Sequence, residues 1–445
     1  MKMKNSENSQ MTAGSVRARI NRLSAVLLKE LSQQHKEDNF VFSPLSAYVL
    51  LSMTADATAG RAKKELTDLL CGKGDFTQTL SILVALQKKL SEKNTFSSAN
   101  AVIVREDLEH SIVPGYEERL EALFDGRLFA TDHVAEHVNN WVRKRTGGLI
   151  PSIADDSMED VLLCMVNACS FLADWNTQYE WCQIENRDFH NVDQSVSRVK
   201  MLHSYEDIYI ENSSFFGFAK PYKNKSHSYV VLLPKDEKRA LQTFGEELDF
   251  AALIKGKDNT CADVLMPEFS CSTDTDLTNM LKGQGIRTVF TPEADFSPIS
   301  SEWLKVDAIK QKANIQVDRR GTKAYVVSDE RFICGAAPLE FPEEKTILVN
   351  RPFLFAVVHN ETGIPVFLGA VNHLDTPEGD SDMMTNQEKE AACLPIYERI
   401  CAIILDEDWV LKDCYDRSLL QRLHAAYRKL NIDELKKIET EVCRD

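Results

Sequence analysis

Between residues 14 and 35, apolar side chains recur at three- and four-residue spacing: Val16, Ile20, Leu23, Val26, Leu27 and Leu31. That spacing predicts a helix with one apolar face. Ser43-Pro44 opens a second helix, with proline where a missing N–H is tolerated. Leu45, Val49, Leu51 and Met53 make this helix apolar nearly all round, as a buried helix must be. Further along the period changes. Residues 161–171 form an unbroken apolar run, the pattern of a strand buried on both faces, and 228–234 is a similar run ending at a proline. Residues 353–359 and 366–372 read as two strands joined through Asn360-Glu361-Thr362-Gly363, a hairpin signal. Helices dominate early and strands late, which predicts an α+β domain.

The composition shifts after Asp375. Residues 376–386 hold Pro, Gly, Ser and Asp with few large apolar side chains and read as a linker. Beyond it Leu419, Leu420, Leu423, Tyr427 and Leu430 recur at helical spacing, and Asp433 is placed to cap a last helix holding Leu435, Ile438 and Val442. The chain thus divides into a main domain over 1–375, a linker over 376–386 and a helical extension over 387–445. The extension either packs on the domain or offers its apolar face to a protein partner. No internal repeat is found.

The hydrophobic fraction of 43% and charged fraction of 27% are those of an ordinary globular protein. The net charge of -16, with no basic run to offset it, argues against nucleic acid and acidic membrane surfaces as partners. No stretch approaches the ~18 apolar residues of a membrane span. The N-terminal Met-Lys-Met-Lys-Asn-Ser-Glu-Asn-Ser-Gln lacks the apolar core of a secretory signal, so the expectation is a cytoplasmic protein, with leaderless secretion left open. The eleven cysteines are scattered, several within apolar runs, and no CxxC pair occurs, which predicts reduced structural thiols and no zinc knuckle.

His133-Val-Ala-Glu136-His137 matches the inverted zinc-peptidase pattern, in which two histidines one helical turn apart share a metal with the glutamate as base. The competing reading is a solvated helix start with two surface histidines, and it is favoured because so short a pattern recurs by chance. A nucleophile elbow of the Gly-x-Ser-x-Gly type is absent, and Gly283-Gln-Gly285 lacks the third glycine of a dinucleotide loop. No metal or cofactor is expected.

A series of segments in order resembles one family. Asn39-Phe-Val-Phe-Ser43-Pro44-Leu-Ser46 resembles a serpin segment lying beneath the main sheet near the point where it opens. Asn167-Ala-Cys-Ser-Phe171-Leu-Ala-Asp-Trp175 resembles the serpin pattern Asn-Ala-x-x-Phe-Lys-Gly-x-Trp. Asn139-Asn-Trp141-Val142 with Thr146-Gly147-Gly148 resembles the helix crossing that sheet. Lys220-Pro221-Tyr222, Leu232-Leu-Pro234, Ala294-Asp295-Phe296-Ser297, Arg351-Pro352-Phe353 and Phe367-Leu-Gly369 continue the series. Leu172-Ala173 departs from the family's Lys-Gly. Gln311 stands where His usually precedes Lys-Ala, and Ala57-Thr-Ala-Gly60-Arg-Ala62 replaces Gly-Ala-x-Gly-x-Thr.

The resemblance implies a serpin fold with a large central sheet, and an inhibitor rather than a catalyst. A target protease, serine or alternatively cysteine type, cleaves an exposed reactive loop, whose first part then enters the sheet as an extra strand. The loop is expected from about Gly321 to about Leu348, with a hinge of Gly321, Thr322, Ala324, Val326 and Ser328. Strand alternation turns Thr322, Ala324, Val326 and Ser328 inward, and all are small or β-branched. No proline occurs between Thr322 and Ala337 to remove a ladder N–H. Family spacing places the reactive bond near Gly335-Ala336, suited to an elastase-like pocket. Cys334 would suit a papain-like enzyme, and Arg331 lies early for productive trapping. The sheet-opening region is expected to include Ser43, Asn167, Trp175, Glu268 and Arg319.

Two features weigh against insertion. Glu330 falls on the inward face, where an unpaired charge costs several kcal/mol. Arg319 and Arg320 replace acidic residues usual before the hinge glycine, which suggests a swapped ion pair, Glu268 with Arg319. These features keep open a non-inhibitory serpin acting as a binding or chaperone-like module.

Overall fold

The computed structural model describes residues 2–91, 95–154, 161–180, 183–236, 248–322, 343–376, 386–404, 412, 417–428 and 432–442. The strands in chain order are β1 (Phe40–Phe42), β2 (Phe96–Val104), β3 (Gly126–Ala130), β4 (Leu163–Phe171), β5 (Ala173–Asp174), β6 (Ile184–His190), β7 (Val196–Glu206), β8 (Ile208–Glu211), β9 (Phe215–Pro221), β10 (His227–Pro234), β11 (Thr260–Pro267), β12 (Phe269–Asp276), β13 (Ala308–Val317), β14 (Gly321–Thr322), β15 (Glu343–Leu348), β16 (Phe353–His359) and β17 (Ile364–Val371). The α-helices are α1 (Lys2–Gln34), α2 (Pro44–Asp56), α3 (Gly60–Leu70), α4 (Phe76–Ser91), α5 (Tyr116–Phe124), α6 (Val134–Arg145), α7 (Phe250–Leu253), α8 (Thr278–Gly283), α9 (Asn386–Ile404), α10 (Arg417–Arg428) and α11 (Ile432–Val442).

The strands make three sheets. One runs β1-β17-β16-β10-β9-β8, a second β15-β11-β7-β6, and the third, seven-stranded, runs β3-β2-β4-β13-β14-β5 with β12 along the other edge of β13. β4 is buried along its whole length because both its faces are covered, and only Asn167 and Ser170 interrupt its apolar residues. Leu163, Met165, Cys169 and Phe171 join the main core, while Cys164, Val166 and Ala168 pack under α6 with Val134, Val138 and Val142. β13 has one solvated face, so Ile309, Gln311, Ala313, Ile315 and Val317 alternate inward.

α2 begins where Ser43 Oγ accepts the Ser46 N–H at 3.1 Å, with Pro44 in the first turn, and Leu45 through Ala55 are buried on every side. This helix lies in the heart of the core, which is why its sequence shows no polar stripe. α1 starts at Lys2, well before the predicted residue 14. The hairpin β16–β17 turns through Gly363 at φ +65°, a conformation glycine adopts freely.

α9, α10 and α11 share a core of their own, built from Ile396, Ile400, Ile404, Leu423, Leu435 and Ile438 among others. α9 lies within the stretch read as a helical extension, although Pro395 sits inside it. α11 begins at Ile432, so Asp433 lies in its first turn and not at the cap. Among the described residues no helix is long and apolar enough to cross a membrane. Cys164, Cys169 and Cys271 are buried free thiols, each pushed up to about 12 by burial.

Candidate functional site

Along most of their length β4 and β13 pair directly and in parallel, Cys164–Ser170 against Ala308–Asn314. At the far end they part. The chain leaves β13 at Val317, turns through Asp318–Arg320, and returns as β14. Thr322 pairs with Val317 on one side and Ala173 on the other, and Gly321 pairs with Asp174. Gly321 and Thr322 therefore already lie within the sheet, between β13 and the short strand β5.

The turn is self-bonded. Asp318 Oδ1 accepts the N–H groups of Arg320 (2.8 Å) and Gly321 (3.2 Å), and the Asp318 N–H donates to the Gly321 carbonyl (3.0 Å). It is also seated from outside. Trp175 Nε1 donates to the Asp318 carbonyl at 2.8 Å, the Trp175 N–H to the Arg320 carbonyl at 3.0 Å, and the Tyr179 N–H to the Arg319 carbonyl at 2.9 Å. Thr322 is fully buried and shares a 2.7 Å hydrogen bond with the Tyr222 hydroxyl. Tyr222 in turn stacks on Trp175, with centroids 4.8 Å apart and planes 9° from parallel.

Gly321 has a steric reason to be glycine. A Cβ there would lie 2.2 Å from the Ala173 carbonyl oxygen and 2.7 Å from the Asp174 Cα. Gly321→Ala must push β14 away from β5, and we expect a loss of about 1–3 kcal/mol, read from denaturant unfolding. Unfolding at the wild-type midpoint would contradict this placement.

Glu268 and Arg319 meet here. The contact runs from the Arg319 backbone N–H to Glu268 Oε1 at 2.9 Å. Burial raises the Glu268 pKa, and this hydrogen bond with the nearby Lys200 and Arg319 charges works against that rise.

A second polar cluster pins the middle of the sheet. Asn167 and Gln311 are register partners on β4 and β13, both almost wholly buried. The Gln311 amide accepts the Ser43 N–H at 2.9 Å and donates to the Ser43 carbonyl at 3.1 Å. Asn167 Nδ2 donates to Asn100 Oδ1 (2.7 Å) and Ser98 Oγ (2.9 Å). Ser43, Asn167 and Gln311 thus tie α2 to both strands that must separate if the sheet opens. The amide of Gln311 satisfies both main-chain groups of Ser43 at once.

Of the expected hinge, Gly321 and Thr322 are placed. Ala324, Val326, Ser328, Glu330 and the Gly335-Ala336 bond lie outside the described residues. β15 holds Glu343–Leu348 in the second sheet, so the expected loop ends earlier than Leu348. His133 precedes the first turn of α6, its ring 6.3 Å from that of His137, and His137 Nδ1 shares a hydrogen bond with Thr131 Oγ1. Among the described residues no group of three His, Cys, Asp or Glu is placed to hold a metal.

Sequence reading missed one buried pair beside the hinge seat. Lys220 Nζ donates to Glu206 Oε1 at 2.5 Å, and each side chain is about 5% exposed. Ser204 Oγ donates to the same carboxylate oxygen and shares a bond with the Tyr179 hydroxyl. The ammonium lies over the rings of Tyr179 (4.7 Å) and Trp175 (5.7 Å). A lysine in the apolar run Phe215–Pro221 was the available signal.

The sequence model described as serpin (serine protease inhibitor) matches residues 18–374. The chain belongs to the serpin family, which is described by protease inhibition and not by catalysis. It is 29% identical to plasminogen activator inhibitor 1 of Neovison vison over 78% of this chain and 90% of that one. It is 28% identical to Iripin-2 of Ixodes ricinus, over 80% and 92%. Among solved structures it is similar to the thermophilic serpin tengpin in the native state, at TM-score 0.71 and 27% identity, covering 81% of this chain and 94% of that one. Thyroxine-binding globulin complexed with thyroxine has the same fold at TM-score 0.68 and 21% identity, over 80% and 98%.

Proposed function

We propose that this serpin inhibits a target protease as a suicide substrate. The protease cleaves near Gly335-Ala336, and the segment following Thr322 inserts between β4 and β13. The observation that carries this reading is the wedge at the sheet's end. Gly321 and Thr322 already occupy the position of the first inserted pair, antiparallel to β13 and facing β5. Continuing the strand means replacing the β4–β13 hydrogen bonds one pair at a time, past the Ser43–Asn167–Gln311 cluster. Ala324, Val326 and Ser328 continue the inward register set by buried Thr322.

In the trapping step the protease serine hydroxyl attacks the Gly335 carbonyl carbon. The Gly335–Ala336 amide breaks, its nitrogen takes the proton, and an ester joins the two proteins. Insertion then withdraws that ester from water. The relatives named for inhibition support this reading. Thyroxine-binding globulin keeps a second one in view, a serpin that binds without trapping, and Glu330 favours it because a carboxylate must follow Ser328 inward. The target is a serine protease with a pocket for small side chains.

Mixing the protein with an elastase-type protease is expected to give a band that survives boiling in detergent at the mass of the protease plus residues 1–335, with residues 336–445 released as a separate fragment. The same mixture with the protease serine blocked should give none. Complete cleavage of the chain without that band would favour the binding reading.

A further inference from the structure

Two histidines outside the proposed trapping chemistry lie beneath the hinge seat. His227 and His359 face each other in register on β10 and β16, with ring centroids 5.2 Å apart. They are 1% and 4% exposed. His227 Nδ1 shares a hydrogen bond with Ser226 Oγ (3.0 Å), and His359 Nδ1 shares one with Thr362 Oγ1 (2.9 Å). The His227 ring meets Phe171 edge-on at 5.2 Å, and Phe171 meets Tyr222 at 5.0 Å. Tyr222 holds Thr322 through its hydroxyl and Trp175 by stacking. A continuous line of rings joins the histidine pair to the groups that seat the hinge.

We propose that His227 and His359 form a proton-sensitive lock on this seat: protonating the pair loosens Gly321–Thr322 and opens the end of the sheet. The proposal rests on reading that end as the place where the sheet opens. Two neutral imidazoles pack readily at this distance. An imidazolium there is desolvated, and two would repel.

The surroundings supply little countercharge. On α4, Lys89 places an ammonium near His359 and ion-pairs with Glu361 of the β16–β17 turn. The Tyr222 and Tyr229 phenols are pushed further up by burial and stay neutral. Lys223 and Lys225, exposed on the turn before His227, carry the same sign as an imidazolium. Asp174 on β5, whose carbonyl accepts the Lys223 N–H, is itself raised by burial.

Burial, with the Lys89 charge, holds His359 below the ordinary histidine value. A histidine with a lowered pKa in the closed form binds fewer protons there than in an opened, hydrated form. The closed form is therefore favoured in full above the ordinary histidine value, and the advantage falls as pH drops below it.

Hydrogen exchange at the amides of Trp175, Tyr179 and Asp318 tests this, expressed as protection so that the chemical pH dependence of exchange cancels. Between about pH 7.5 and about pH 5.5 the wild type should lose protection about tenfold, and the His227→Phe, His359→Phe double variant, which keeps both rings, should not. Two variants outside the core give an independent check. Lys89→Met should move the transition to higher pH and Glu361→Gln to lower pH. Wild-type protection that does not change with pH would overturn the proposal. So would an equal loss in the double phenylalanine variant, or unmoved midpoints in the two charge variants. Because the readout needs neither cleavage nor insertion, a chain that never traps a protease still gives a decisive result.

Discussion

A Lys220→Met variant that keeps Glu206 is expected to lose about 3–5 kcal/mol of stability at neutral pH, the cost of leaving one charge of a buried pair without its partner. Both side chains are nearly excluded from water, and the ammonium is the nearest charge opposing the desolvation of Glu206. Burial already raises the Glu206 pKa, and Lys220 pulls it back. With Lys220 gone the carboxyl group stays buried at least cost by holding a proton. A folded-state pKa raised above the unfolded value gives stability that is complete below the unfolded value and is lost as pH rises through the folded one. The deficit of the variant against wild type should therefore be small near pH 4.5 and full near pH 7.5, measured by denaturant unfolding at each. Adding Glu206→Gln should restore part of the neutral-pH loss. A deficit equal at both pH values would show that Lys220 contributes packing alone.

Trp175→Ala is the second large effect, expected to cost about 3–5 kcal/mol for a fully buried indole. The side chain makes three separate connections: its face stacks on Tyr222, its Nε1 holds the Asp318 carbonyl, and its ring lies beneath the Lys220 ammonium. Trp175→Phe keeps much of the packing but leaves the Asp318 carbonyl without its donor, so it should cost about 1–3 kcal/mol. The two variants should also differ locally. Protection of the Asp318 amide should fall further than that of strands distant from the hinge seat, because the turn 318–320 loses its outside support. Uniform loss throughout the molecule would mean that Trp175 only fills space.

The sequence made the fold legible wherever one physical rule acted alone. The double burial of β4 appears as an apolar run broken only by Asn167 and Ser170, and the start of α2 as Ser43-Pro44. It failed where a rule was overridden. Lys220 and Glu206 could not be paired from sequence because they lie on different strands, although a lysine inside the apolar run Phe215–Pro221 was a cue to its burial. Glu268 and Arg319 do meet, and the hydrogen bond from the Arg319 backbone N–H to Glu268 is a contact that a side-chain reading of the sequence could not specify. His227 and His359 gave no signal, since their pairing depends on the register of β10 against β16. The expectation that Gly321 and Thr322 belong to a hinge was legible by resemblance. Their seat inside the sheet was not, because it depends on Ala173, Asp174 and Tyr222 together.

The central claim is that the sheet accepts the segment beyond Thr322. It is tested most directly by thermal melting before and after a non-target protease nicks the chain near Gly335. Insertion of a full strand adds a row of main-chain hydrogen bonds and buried side chains to the sheet and should raise the melting temperature clearly above that of the intact chain. An unchanged melting temperature in a fully nicked sample would contradict insertion, and with it the suicide-substrate account.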